Sequence, residues 1–178
     1  RGELFDEEKY LALFSLITAR TNPGAILVLP ATAPQAIIEM VRAEGAEVRI
    51  AKTAPWALMV EFMKDDVMAS QRHFPQFLFY NDALASMALL AQYLAKEGRP
   101  LSMILSELPK FAVARKEVGV MWEEKGKVLR HLAEASADQR IETAEGLKIQ
   151  HPQGWAMVLP DADEPVCRVY SEAFNQEI

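Results

Sequence analysis

Residues 25–30 read Ala-Ile-Leu-Val-Leu-Pro, an unbroken apolar run framed by Asn22-Pro23-Gly24 before it and Ala-Thr-Ala-Pro after it. A strand with one wet face alternates apolar and polar residues. A run without alternation belongs to a strand covered on both faces, as in parallel sheets flanked by helices. The flanks agree with that. Upstream, Asp6 stands as an N-cap, and Glu7 and Glu8 fall in the first turn, where the helix dipole favours negative charge. Tyr10, Leu11, Leu13, Phe14 and Ile17 then recur at helical spacing until Asn22-Pro23-Gly24 stops the helix. Downstream, residues 33–45 read as a helix with Pro34 near its start and Gly45 at its end. Residues 46–51 (AEVRIA) form the next strand, 55–66 (PWALMVEFMKDD) a helix, 76–81 (QFLFYN) a strand, and 82–98 a long helix capped by Asp82 and closed by Gly98. Strands alternating with helices are βαβ units with right-handed crossovers, so residues 1–108 predict an α/β domain built on a parallel sheet.

Beyond a short helix that opens after Pro100 and ends at Pro109, the pattern changes. Residues 110–120 (KFAVARKEVGV) alternate like a strand with one wet face, and 122–136 form an amphipathic helix. Three short strands follow at 147–151, 155–159 and 166–173, separated by Pro152-Gln153-Gly154 and by an acidic stretch, Pro-Asp-Ala-Asp-Glu-Pro, at 160–165. One helix beside a small, mainly antiparallel sheet makes residues 109–178 an α+β domain.

Composition excludes several function classes. At 51% hydrophobic and 25% charged the chain is globular, and a net charge of −6 argues against a nucleic-acid surface, which needs a concentrated basic stripe. No apolar run approaches the roughly 18 residues of a membrane span. The charged opening RGELFDEEKY does not read as a signal peptide, and its start without Met reads as part of something longer; a cytoplasmic setting is expected. Cys167 has no partner for an intrachain disulfide, and His73, His131 and His151 share no metal-like spacing. Met40, Met59, Met63, Met87 and Met103 follow helical faces and are expected as core filler, and Trp122 and Trp155 as packing residues. The acidic stretch is the candidate site. Asp161, Asp163 and Glu164 could hold a cation, but a calcium loop of EF-hand type needs more oxygen ligands and a glycine at a fixed position. A solvated acidic turn fits better.

The order of features carries a resemblance. Residues 145–149 (EGLKI), the pair Gly154-Trp155, an apolar strand, Glu164-Pro165 and then Arg168-Val169-Tyr170 resemble the last domain of the phosphohexomutases, the phosphomannomutase and phosphoglucomutase family. Residues 2–17 (GELFDEEKYLALFSLI), a strand ending in VLPATAP, the turn at 52–58 and the helix ending EGRPLSMILSELP resemble that family's third domain. The resemblance implies that this chain corresponds to the family's two C-terminal domains. The domains bearing the phosphorylated serine and the magnesium loop are absent from it.

The resemblance also implies a phosphate-gripping loop of pattern Arg-Pro-Ser-Gly-Thr-Glu-Pro at 159–165. Here Leu159 takes the arginine's place and Asp161, Ala162 and Asp163 replace serine, glycine and threonine, while Pro160, Glu164 and Pro165 are kept. A carboxylate at about 4 Å from a phosphate costs on the order of 1 to 4 kcal/mol over the range of surface dielectrics. In the third domain, Trp56 stands where the family carries a basic substrate contact, and Ser70 and Arg72 fall in the sugar-reading loop, which lacks its glutamate. The degenerate substrate positions are therefore Trp56, Ser70, Arg72, Leu159, Asp161, Asp163 and Glu164, with no catalytic residue and no metal site. The implied parent is a phosphohexomutase-like protein of sugar-nucleotide metabolism. This part is expected to be a non-catalytic module behind a sugar-1-phosphate nucleotidyltransferase of the mannose-1-phosphate guanylyltransferase type, with the recognition half of an active mutase as the alternative. No cofactor is expected in this chain itself; Mg2+ belongs only to a complete active mutase or nucleotidyltransferase. Expected partners are the upstream domains, with a sugar phosphate and a second copy of the chain as further candidates; neither nucleic acid nor membrane is expected.

Overall fold

The computed structural model describes residues 5–173 and divides into two compact units, the first ending at Lys110 and the second beginning at Phe111. The first unit starts with α1 (Glu7–Thr21), whose N-cap Asp6 accepts a hydrogen bond from the Lys9 backbone N–H. Strands β1 (Ile26–Pro30) and β2 (Glu47–Ala51) pair in parallel, Ile26 opposite Glu47 and Pro30 opposite Ala51, with α2 (Gln35–Ala43) as the crossover. The remaining elements are helical: α3 (Pro55–Phe62), α4 (Asp65–Ser70), α5 (Gln76–Asn81), α6 (Ala83–Glu97) and α7 (Leu101–Leu105). Asp82 caps α6 by accepting from the Ala85 N–H, and Gly98 closes it with φ +64, a left-handed conformation that a side chain would strain.

Among the described residues of this unit, buried side chains gather in hydrophobic clusters. Leu13, Phe14, Leu16 and Ile17 of α1 pack with Phe74, Phe79, Tyr93 and Ile104, and the Phe14 and Phe79 rings stack at 4.1 Å. Val28, Ala51, Leu58, Phe62 and Val67 form another cluster, which joins the β-strands to α3 and α4.

The segment QFLFYN is helical rather than a strand, and α5 is the reason the sheet has two strands. Pro75 precedes the segment as an N-cap, and Gln76 and Phe79, three residues apart, point inward together. The outer edge of β1 is finished by side chains. The Ile26 N–H donates to Ser70 Oγ (3.0 Å) and the Ile26 carbonyl accepts from Gln71 Nε2 (2.6 Å). The Val28 N–H donates to Gln76 Oε1 (2.9 Å) and the Val28 carbonyl accepts from Gln76 Nε2 (2.6 Å). Pro30 has no N–H, and its carbonyl accepts from the Ala33 N–H. Every backbone group on that edge therefore has a partner without a neighbouring strand, as burial requires.

The second unit is a five-stranded antiparallel sheet of order β3-β7-β6-β5-β4, with β3 Ala112–Gly119, β4 Arg140–Glu142, β5 Leu147–His151, β6 Gly154–Pro160 and β7 Val166–Ala173. A single 3-10 turn (Trp122–Glu124) leads into α8 (Lys125–Ala135). β4 was not legible in the sequence because a three-residue strand is too short to show alternation. Pro152 and Gln153 make the two-residue link between β5 and β6, because His151 pairs directly with Gly154. Gly154 is required by close approach: a Cβ there would lie 2.0 Å from the Glu172 carbonyl oxygen. Its neighbour Trp155 is buried and donates its indole N–H to Glu172 Oε2 at 2.6 Å, with Lys148 Nζ 4.0 Å from the ring centre. The Gly-Trp pair thus fixes β6 against β7.

Candidate functional site

The acidic stretch is the hairpin loop joining β6 to β7, closed where Pro160 pairs with Cys167. The Asp161 N–H donates to the Val166 carbonyl at 3.0 Å, and the Val166 N–H to the Glu164 carbonyl at 2.8 Å. Two further amides of the turn meet at one atom. Both the Asp163 and the Glu164 N–H donate to Asp161 Oδ1, each at 2.8 Å. The second oxygen, Oδ2, pairs with Arg168 Nη1 at 2.7 Å. These donors, first the Asp163 amide, hold the Asp161 carboxyl below the usual carboxylate range.

Two cations organise the loop from outside. Buried Lys125, first residue of α8, donates Nζ to the Asp161 carbonyl at 2.7 Å and also to the Glu164 carbonyl, while its ammonium lies 3.6 Å from the centre of the Trp122 ring. Arg168 spreads over three carboxylates: Asp161, Glu117 (Nε to Oε1, 3.1 Å) and Glu164 (Nη2 to Oε2, 3.6 Å). Beside it, Arg115, Lys116, Glu117, Arg168, Val169 and Tyr170 line a shallow cleft of about 240 Å³ along the paired strands β3 and β7, with the Arg115 guanidinium 5.7 Å from the Tyr170 ring centre.

Leu159 is half-buried near the end of β6 and stands directly opposite Arg168 in the β6–β7 register. Asp163 and Glu164 are exposed at the loop tip. In the first unit, Trp56 is the second residue of α3 and 68% exposed. Ser70 ends α4; its hydroxyl donates to the Val67 carbonyl at 2.8 Å and accepts from Ile26, so it belongs to the finished edge of β1. Arg72 follows α4 and is exposed. The structure therefore brings Leu159, Asp161, Asp163 and Glu164 into one hairpin, with Leu159, Asp161 and Glu164 at Arg168, whereas Ser70 serves the first unit's sheet. Lys125 and Glu117 were not singled out from the sequence. Lys125 sits in a charged run that reads as a solvated helix start, and its carbonyl partners leave no mark in the sequence. Among the described residues no cluster of His, Cys, Asp or Glu is arranged to hold a metal ion, and no helix is long and apolar enough to cross a membrane.

A loop that collects backbone amides and an arginine onto one point, set in this order of strands, invites comparison with phosphate-handling proteins. No protein-family model matches the chain. Among curated proteins, a phosphoglucomutase/phosphomannomutase of Thermococcus kodakarensis is 26% identical over 183 residues, covering 99% of this chain and 40% of that protein. A probable phosphoglucosamine mutase of Pyrococcus horikoshii is 24% identical over 99% of this chain and 41% of that protein. The chain is homologous to the phosphohexomutases. A probable phosphoglucosamine mutase of Methanopyrus kandleri is 37% identical over 100 residues, covering 54% of this chain and 22% of that protein. Solved phosphohexomutases share the fold. A Burkholderia thailandensis phosphoglucomutase/phosphomannomutase family protein superposes with TM-score 0.67 at 19% identity, covering 98% of this chain and 39% of that one. The Aspergillus fumigatus N-acetylphosphoglucosamine mutase does so with TM-score 0.64 at 14% identity, covering 97% and 41%. The chain thus spans about two fifths of the length of these relatives, and its α/β unit followed by an antiparallel unit matches the phosphohexomutase C-terminal domains.

Proposed function

We propose that this chain is a non-catalytic phosphohexomutase-like module of a larger protein of sugar-nucleotide metabolism, its phosphate-recognition loop occupied from within by Asp161. The observation that carries the reading is the Asp161 carboxylate, which accepts from the Asp163 and Glu164 amides and from Arg168. A phosphate dianion needs converging donors of this kind. Here a covalently attached anion already uses them, and Asp163 and Glu164 add further negative charge at the tip. A module that does not hold substrate leaves catalysis to the domains it is joined to. We place upstream of it a sugar-1-phosphate nucleotidyltransferase of the mannose-1-phosphate guanylyltransferase type, for which the module is a structural or regulatory appendage.

The competing reading, the recognition half of an active mutase, draws on the mutase names of its homologues and on the cations Arg115, Lys116 and Arg168 beside the loop. It requires Asp161 to give up its partners when substrate arrives. Calorimetric titration with mannose 1-phosphate and mannose 6-phosphate separates the two. The natural chain gives no saturable heat, whereas Leu159→Arg/Asp161→Ser/Asp163→Thr, which supplies one cation and two hydroxyls, binds in a way that inorganic phosphate competes. Saturable, phosphate-competed binding by the natural chain would refute the occupied-loop reading and favour the mutase half.

A further inference from the structure

Helix α3 has the wrong exterior for a solvated helix. Apart from Glu61, all its residues, Pro-Trp-Ala-Leu-Met-Val-Glu-Phe, are apolar, a composition expected of a helix buried on every side. One side is indeed buried: Ala57, Leu58 and Phe62 face the core. The other is not. Trp56 is 68% exposed, Met59 43%, Val60 57% and Met63, the C-cap residue, 52%. Positions 56, 59, 60 and 63 form one stripe at helical spacing, distinct from isolated apolar residues scattered over a surface.

We infer that the outer face of α3 is a self-association surface on which a second copy of this chain docks its own α3, antiparallel across a twofold axis. Three features select that occupant. First, the stripe is palindromic: reversing the order about the midpoint between Met59 and Val60 exchanges Trp56 with Met63 and Met59 with Val60. A twofold pair thus sets each indole against a partner methionine, a favourable contact for a flat ring and a pliable thioether. Second, the charges at its two ends are opposite. Lys52 is exposed before the helix and Asp65 is exposed after it, so the same operation brings each lysine toward a partner aspartate. Third, the size suffices. The four side chains expose on the order of 450 Å² per copy, so a pair buries about 900 Å², the range of weak, transient contacts. Such a pair is reversible rather than obligate.

The test is sedimentation equilibrium of the 178-residue chain from low micromolar to a few hundred micromolar. The expected result is a monomer–dimer equilibrium within that range, weakened at least about tenfold by Val60→Lys, which puts an unpaired charge at the centre of the contact. Lys52→Glu weakens it by repulsion at both ends, and Lys52→Glu/Asp65→Lys restores it, a signature of the antiparallel twofold that general surface stickiness does not give. A chain that remains monomeric throughout overturns the inference and leaves the face to a different protein. Association that ignores Val60→Lys, or that the charge exchange fails to restore, overturns it as well. The charge variants lie outside the packed side of α3, so this arm reads out even if Val60→Lys disturbs folding.

Discussion

Gln76 carries the sharpest test of how the first unit is built. Its side chain is 1% exposed and closes the Val28 peptide from both sides, accepting from the N–H at 2.9 Å and donating to the carbonyl at 2.6 Å. In Gln76→Leu both Val28 groups lose their partner inside the core. Each buried orphan costs about 1–3 kcal/mol, and the apolar gain of the leucine offsets roughly 1 kcal/mol of the total. The expected loss is about 1–5 kcal/mol, and for a unit of this size a midpoint lower by at least about 5 °C. Thermal and urea unfolding followed by circular dichroism read it directly. A variant within about 0.5 kcal/mol of the natural chain would refute the account of the β1 edge. Gln76→Glu refines it, because a protonated carboxyl can accept and donate in the same two directions. Burial in the core raises that carboxyl's folded pKa above the unfolded value near 4.3. The glutamate's contribution is therefore fully present below the unfolded pKa and is lost as pH rises through the folded one. Compared with the natural chain at each pH, the variant is nearly as stable in mild acid and clearly weaker at neutral pH; a difference that does not vary with pH would count against the two-way contact.

Lys125→Met keeps the aliphatic stem but removes the donor to the Asp161 and Glu164 carbonyls, so the second unit loses about 2–4 kcal/mol, checked by chemical denaturation. Because the Asp161 carboxyl is held low, its contribution is present above the unfolded carboxylate pKa near 3.9 and is lost as pH falls through the depressed folded value. Asp161→Asn is thus expected to bring its stability closest to that of the natural chain at the acid end of a pH series, and a constant difference across the series would be the contrary result.

What the sequence could reveal depended on whether the cause was local. The α1 and α6 boundaries were legible because Asp6, Asp82 and Gly98 act on their own neighbouring amides and carbonyls. The buried strand at 26–30 announced itself by its unbroken apolar run. QFLFYN misled because Phe77 and Phe79 alternate like a strand, while the deciding contacts, Gln76 with Val28 and Phe79 with Phe14, lie far away in the chain. The acidic loop was visible in the sequence as three carboxylates between two prolines, but the donors around Asp161 were not, since two are backbone amides and the third, Arg168, sits on the next strand.

The sealed edge of β1 has a consequence for how this protein behaves in a crowd. An outermost strand ordinarily offers a ladder of open backbone groups onto which a foreign strand can be added, the first step toward sheet polymers. Along β1 that ladder is already spent on Ser70, Gln71 and Gln76, and the last two are buried. To take over that ladder, an incoming strand would have to displace Ser70 and pull both glutamines out of the interior. A fold with so short a sheet thereby keeps one of its flanks from serving as a template.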